Sequence, residues 1–155
     1  MSQICTLHGM IVAERVIKVP VARAYAAFAD AKERSSWGAP SDTAVFIYDE
    51  TDFRVGGRDV ARCGAKADPR IRVESLYVDI IPEARIITME TIHEQTRPLA
   101  TNLTTIEFLS EGDATRMKVT VQIVSFVGEG MISNTESGHE GSLANMAAHL
   151  EQLGG

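Results

Sequence analysis

The period of the hydrophobic pattern changes along the chain, and the changes mark its elements. From Leu7 to Val19 the residues are rich in Val and Ile and predict a strand. Pro20 ends it, because proline brings no amide hydrogen to a ladder. In VARAYAAFADAKERSSWGAP the pattern becomes helical, with Val21, Ala24, Tyr25 and Phe28 on one stripe. A second short helical piece ends at Trp37-Gly38, and Pro40 marks the break. From Asp42 to Phe126 the spacing predicts consecutive strands near 43–49, 53–63, 70–80, 84–95, 100–110 and 114–126. The turn signals DETD, GAKADP, IPEA, TRPL and EGDA separate them.

The last hairpin is the clearest. Gly112-Asp113 sits between two alternating runs. Arg116, Lys118, Thr120 and Gln122 point one way, and Met117, Val119, Val121 and Ile123 the other, so one sheet face is wet and one dry. A loop, VGEGMISNTE, follows. A terminal helix then starts near Gly138, where Ser137 and Glu140 have capping-box spacing. His139, Leu143, Met146, Leu150 and Leu153 share its stripe.

The order is thus strand, two helices, six strands, helix: an α+β fold in which the last helix buries its stripe on the dry face. A strongly curved sheet cannot touch that helix everywhere, and a cavity remains between them.

Composition bears on partners. The 155 residues suit one domain, 1–155, with 45% hydrophobic and 23% charged residues. A net charge of −6 with scattered arginines argues against nucleic acid. No apolar run is long enough for a membrane span, and MSQICTLHGM has no signal-peptide pattern, so a cytoplasmic location is expected. Cys5 and Cys63 read as reduced thiols rather than a disulfide framework.

VIKVPVARAYAAFAD, SSWGAP, DFRVGGRDVARCG, YVDIIPEARI and GHEGSLANMAAHL occur in that order over nearly the whole chain. Together they resemble the helix-grip superfamily, also called START-like, SRPBCC or Bet v 1-like, and within it the Aha-type branch related to an activator of a chaperone ATPase. The resemblance implies a curved seven-stranded antiparallel sheet wrapped around a long C-terminal helix, two short helices after the first strand, and a hydrophobic pocket. It leaves function open, since the superfamily includes polyketide cyclases, lipid carriers, hormone receptors and chaperone co-factors. His139 stands where relatives commonly carry an aromatic residue.

Candidate chemistry is sparse. His139 could reach the pocket mouth from the first turn of the helix, as a neutral imidazole or simply as a half-exposed helix-start residue. With Glu90 and Glu94 assigned to solvent, Met89, Thr91 and His93 face the helix, and His93 could meet His139. Trp37, Phe46, Tyr77, Met89, Phe126, Met131 and Met146 are large enough to line a pocket, though each could equally be plain core. Tyr77 would be an inward phenol in need of a partner. His149 falls off the stripe and is expected in solvent.

The glycines before Met131 would suit a lid. Gly56-Gly57 suits a bulge or close approach, and Asp79 with Arg85 a structural pair across a turn. Neither His-x-x-x-His nor Cys-x-x-Cys occurs, and no Gly-x-Ser-x-Gly, Gly-x-Gly-x-x-Gly or Walker pattern, so no metal or cofactor is expected.

The favoured reading is a domain that binds a hydrophobic or amphipathic small molecule. Its ligand-binding candidates are Trp37, Phe46, Tyr77, Met89, His93, Phe126, Met131, His139 and Met146. The alternatives are a cyclase or dehydratase using His93 or His139, and a docking module for a chaperone. A homodimer is a further candidate assembly.

Overall fold

The computed structural model describes residues 6–39 and 42–154, so Cys5 and Pro40 lie outside the described residues. β1 (Leu7–Ile17) leads into α1 (Val21–Ala29) and α2 (Ala31–Trp37). β2 (Ala44–Glu50), β3 (Arg58–Ala65), β4 (Asp68–Ile81), β5 (Arg85–Glu94), β6 (Arg97–Glu111) and β7 (Ala114–Ser125) follow, and α3 (Glu129–Gly154) closes the order. The strands form one antiparallel sheet in the order β1-β7-β6-β5-β4-β3-β2. This is the α+β helix-grip arrangement expected from the sequence.

Local chemistry explains the boundaries. Asp30 caps α2, its side chain accepting from the Lys32 and Glu33 amides. Gly112, at φ +62°, makes the β6–β7 turn, and β7 alternates as expected, with Met117, Val119, Val121 and Ile123 buried. β3 begins at Arg58 rather than 53, because RVGG forms a turn. Gly56 sits at φ +86° and its amide donates to the Tyr77 carbonyl at 2.9 Å, while the Tyr77 amide donates to Gly57 at 3.0 Å. A Cβ on Gly57 would stand 2.2 Å from the Asp52 carbonyl oxygen, so only glycine fits there.

The terminal helix starts at Glu129, well before the expected Gly138. Most of VGEGMISNTE is therefore helix rather than a lid loop, and Ser137 and Glu140 lie inside the helix. Its first turns are rich in Gly, Ser, Asn and Thr, which favour other conformations. Tertiary contact overrides that preference: Met131 and Ile132 pack on the core, Ile132 against Gly9. Ser125 prepares the start, its hydroxyl donating to the Gly128 carbonyl at 2.7 Å and accepting from the Val127 amide.

The two halves of the sheet differ. β1–β7 and β6–β7 pair without a register shift, and α3 packs on β1 and β7. β2–β3, β3–β4, β4–β5 and β5–β6 each carry a shift, which bends and twists the strands. On the regular half the core is tight: Ile17, Met117, Val121, Ile123, Met146 and Leu150 are each at most 1% exposed. Met146 is thus core between helix and sheet, not a cavity residue.

Met146→Ala should therefore cost about 2–5 kcal/mol, as for other buried large-to-small changes. Urea unfolding would read it, and a loss within error of zero would show this contact to be loose.

Candidate functional site

Between α3 and the bulged half of the sheet lies a cavity of about 500 Å³. That is within the usual range for a small-molecule site, roughly 300–1,000 Å³. Its apolar wall includes Trp37, Phe46, Ile71, Val73, Ile106 and Leu143. A second, open depression of about 750 Å³ runs outside α2 and β2, and Phe46 and Tyr48 border both. The cavity beneath α3 holds the chemistry.

Of the residues singled out by sequence, Trp37, Phe46, Tyr77, Met131 and His139 line this cavity. Met89, His93, Phe126 and Met146 do not. On β5 the sequence reading has the wrong parity. Thr88, Glu90 and Ile92 face inward, while Met89 is 50% exposed on the outer face. His93 follows Ile92 across a register shift and stays out of the cavity. Phe126 lies beyond the end of β7, 36% exposed. The His93–His139 meeting therefore does not occur across this cavity.

Glu90 points inward because its carboxylate has partners there. Ser75 Oγ on β4 donates to it at 3.2 Å and Thr104 Oγ1 on β6 at 2.9 Å. Ser75, Glu90 and Asn102 are directly opposite one another on β4, β5 and β6, a polar row across the cavity floor. Asn102 is 2% exposed, and its Oδ1 has no hydrogen-bond partner. An unpaired buried acceptor of this kind is uncommon in folded proteins.

A second polar group, absent from the sequence reading, centres on Arg34 of α2, 3% exposed. Its Nη2 donates to Asp59 Oδ2 at 2.7 Å, its Nη1 to the Phe28 carbonyl at 2.7 Å and its Nε to the Tyr48 hydroxyl at 2.8 Å. The Tyr77 hydroxyl donates to the same Asp59 oxygen. Tyr77 is thus inward as expected, and Asp59 is its partner. The i, i+3 spacing of Arg34 and Trp37, both buried, was the available signal for Arg34.

Electrostatics follow from burial. Burial opposes the charge on Arg34, but Tyr48, Tyr77 and Asp59 together outweigh it and hold the guanidinium more firmly protonated than usual. Burial raises the Tyr77 phenol, and Arg34 only partly offsets this. The Tyr48 phenol is pushed up to about 12 by burial, again against Arg34. Burial, helped by Glu90, lifts the Cys63 thiol to about 11, so it is a protonated wall residue and not a nucleophile.

His139 is half-buried by solvent accessibility, since part of the ring opens on the cavity. Protein nonetheless surrounds it closely, and that enclosure governs its proton: desolvation lowers its pKa from 6.5, with Glu90 acting in the opposite sense. His149 is not in solvent. Its Nε2 lies 2.8 Å from Glu33 Oε2 in a part-buried pair that ties α3 to α2. Arg85 Nε donates to Asp79 Oδ2 at 2.7 Å, the structural pair expected. Among the described residues no group of three or more His, Cys, Asp or Glu could hold a metal ion. No helix among them is long and apolar enough to cross a membrane.

Residues 9–151 match the family described as polyketide cyclase / dehydrase and lipid transport. The chain belongs to that family. The START-like resemblance read from the sequence is borne out with it. The chain is similar to the Mll3558 protein of Rhizobium loti: 32% identity, 93% of this chain and 98% of that one covered, TM-score 0.81. A Rhizobium leguminosarum protein is 28% identical over 96% of this chain and 97% of its own, with a TM-score of 0.83. The AHSA1-like protein of Aeromonas hydrophila shares the fold at 19% identity, covering 94% of each chain with a TM-score of 0.73. No curated protein sequence matches the chain.

Two outcomes test this electrostatic description. Arg34→Met strands the Asp59 carboxylate and should cost about 3–5 kcal/mol, whereas Arg34→Met with Asp59→Leu should recover much of the loss. Urea unfolding of both variants checks it. For His139, the lowered folded-state pKa means that the unfolded chain binds the proton more readily. Stability should therefore fall as pH drops below about 6.5, down to the folded-state value, and His139→Gln should flatten that part of the profile. Identical unfolding profiles for the two proteins from about pH 7 to pH 5 would refute the assignment.

Proposed function

We propose that the chain encloses an apolar or amphipathic small molecule in the cavity between α3 and the bulged half of the sheet. The observation that carries this reading is the contrast between the two halves. Beside a core in which Ile17, Ile123, Met146 and Leu150 are each at most 1% exposed, about 500 Å³ is left unfilled. Interiors normally close such gaps, because each lining atom loses dispersion contacts across a void. The bulges and the Arg34 network hold this one open. Membership of a family described by cyclase, dehydrase and lipid-transport functions supports the same reading. The whole of 1–155 acting as one domain is part of the proposal.

A second reading rests on Glu90 and His139. Both line the cavity, and the carboxylate is close enough to influence the imidazole proton. A proton-transfer enzyme of the cyclase or dehydratase type would use such a pair. Docking to a second copy or to a chaperone rests on the outer face. Met10, Leu103, Met89 and Leu76 lie there, 37–71% exposed, along one line of paired residues. The unfilled cavity favours enclosure over that surface.

Val73→Trp, which fills the cavity, should abolish ligand-induced thermal shifts in a screen of hydrophobic compounds. Met89→Trp, on the outer face, should leave them intact. The reverse pattern would move the binding site to the outer face and end the enclosure reading.

A further inference from the structure

Resting on that enclosure reading, we propose that the cavity selects ligands whose polar head donates hydrogen bonds, neutral alcohols and phenols or protonated amines, and rejects carboxylic acids of the same shape. The hydroxyls of Ser75 and Thr104 donate their protons to Glu90. Thr135 donates to the Met131 carbonyl at 2.7 Å and Ser142 to the Gly38 carbonyl at 2.7 Å. The Trp37 indole donates to the Ala27 carbonyl at 3.2 Å. Each of these groups lines the cavity with its only polar hydrogen already committed to the protein.

Acceptors are left over. Asn102 Oδ1 is buried with no partner. Glu90 accepts from two hydroxyls, and a carboxylate has room for about four such bonds. His139 opens part of its ring on the same space.

Charge points the same way. The charged lining residues are Arg34, Asp59 and Glu90, with His139 held towards its neutral form. Arg34 and Asp59 neutralise each other at 2.7 Å. Glu90 has hydroxyl partners but, among the described residues, no ion pair, so the cavity carries a net negative charge. An incoming carboxylate would meet that charge in a medium that screens poorly. A hydroxyl or ammonium head would satisfy the remaining positions on Glu90.

Three naphthalene probes with one ring position and different heads test this by isothermal titration calorimetry: naphthylmethylamine, naphthol and naphthoate. The amine and the naphthol should each bind at least about tenfold more tightly than naphthoate. Glu90→Gln should bring the amine and naphthoate to within about threefold of each other, because the charge is removed while an acceptor remains. The wild-type ranking stands by itself should that variant fold poorly. Naphthoate binding as well as or better than the other two would overturn the selectivity and leave the enclosure reading in place. No binding by any of the three would overturn both.

Discussion

A straight helix and a twisted sheet can touch along only part of their surfaces, and the rest of this molecule is organised around that mismatch. α3 takes its contact from β1 and β7, where pairing is regular. Towards β2 the strands carry four register shifts and swing away. The free energy of burial is therefore concentrated at one side of the helix. The other side is available for something other than stability, since the core does not need it.

A gap of this kind collapses unless its walls are held from behind. Arg34 does this holding. One guanidinium reaches α1 through the Phe28 carbonyl, β2 through Tyr48 and β3 through Asp59, and Asp59 continues to β4 through Tyr77. Four elements that form one wall are thereby linked through a side chain 3% exposed. A buried ion pair is a weak source of net stability compared with an apolar replacement, but its directional bonds fix positions that apolar contact would leave free. The RVGG turn adds backbone bonds between Gly56, Gly57 and Tyr77, so Tyr77 is held by its backbone as well as by its hydroxyl.

What could be read in advance follows from which interactions are local. The Gly112-Asp113 hairpin and the Leu143, Met146, Leu150 stripe depend on residues a few positions apart, and both are plain in the sequence. The start of α3 is not, because residues 129–136 have poor helix propensity and are held by Met131 and Ile132 against distant strands. Glu90 misleads for a related reason. A charge on a strand is ordinarily assigned to solvent, which reverses the parity of β5 and turns Met89 and His93 inward. Its actual partners, Ser75 and Thr104, come from neighbouring strands and leave no mark near Glu90 in the chain. Arg34 and Asp59, 25 residues apart, are invisible as a pair until the fold brings them together.

The histidine at the head of the α3 stripe shows how these levels meet. Met146 and Leu150 lie over closely packed core, while Leu143 and, one helical turn earlier, His139 line the cavity. A leucine at position 139 would face the Glu90 carboxylate across a polar floor and gain little from burial. An imidazole there shares the cavity with the carboxylate, near enough for Glu90 to favour its proton, while its ring forms part of the wall. The change from leucine to histidine along one stripe thus records the place where the surface beneath the helix changes from packed core to cavity.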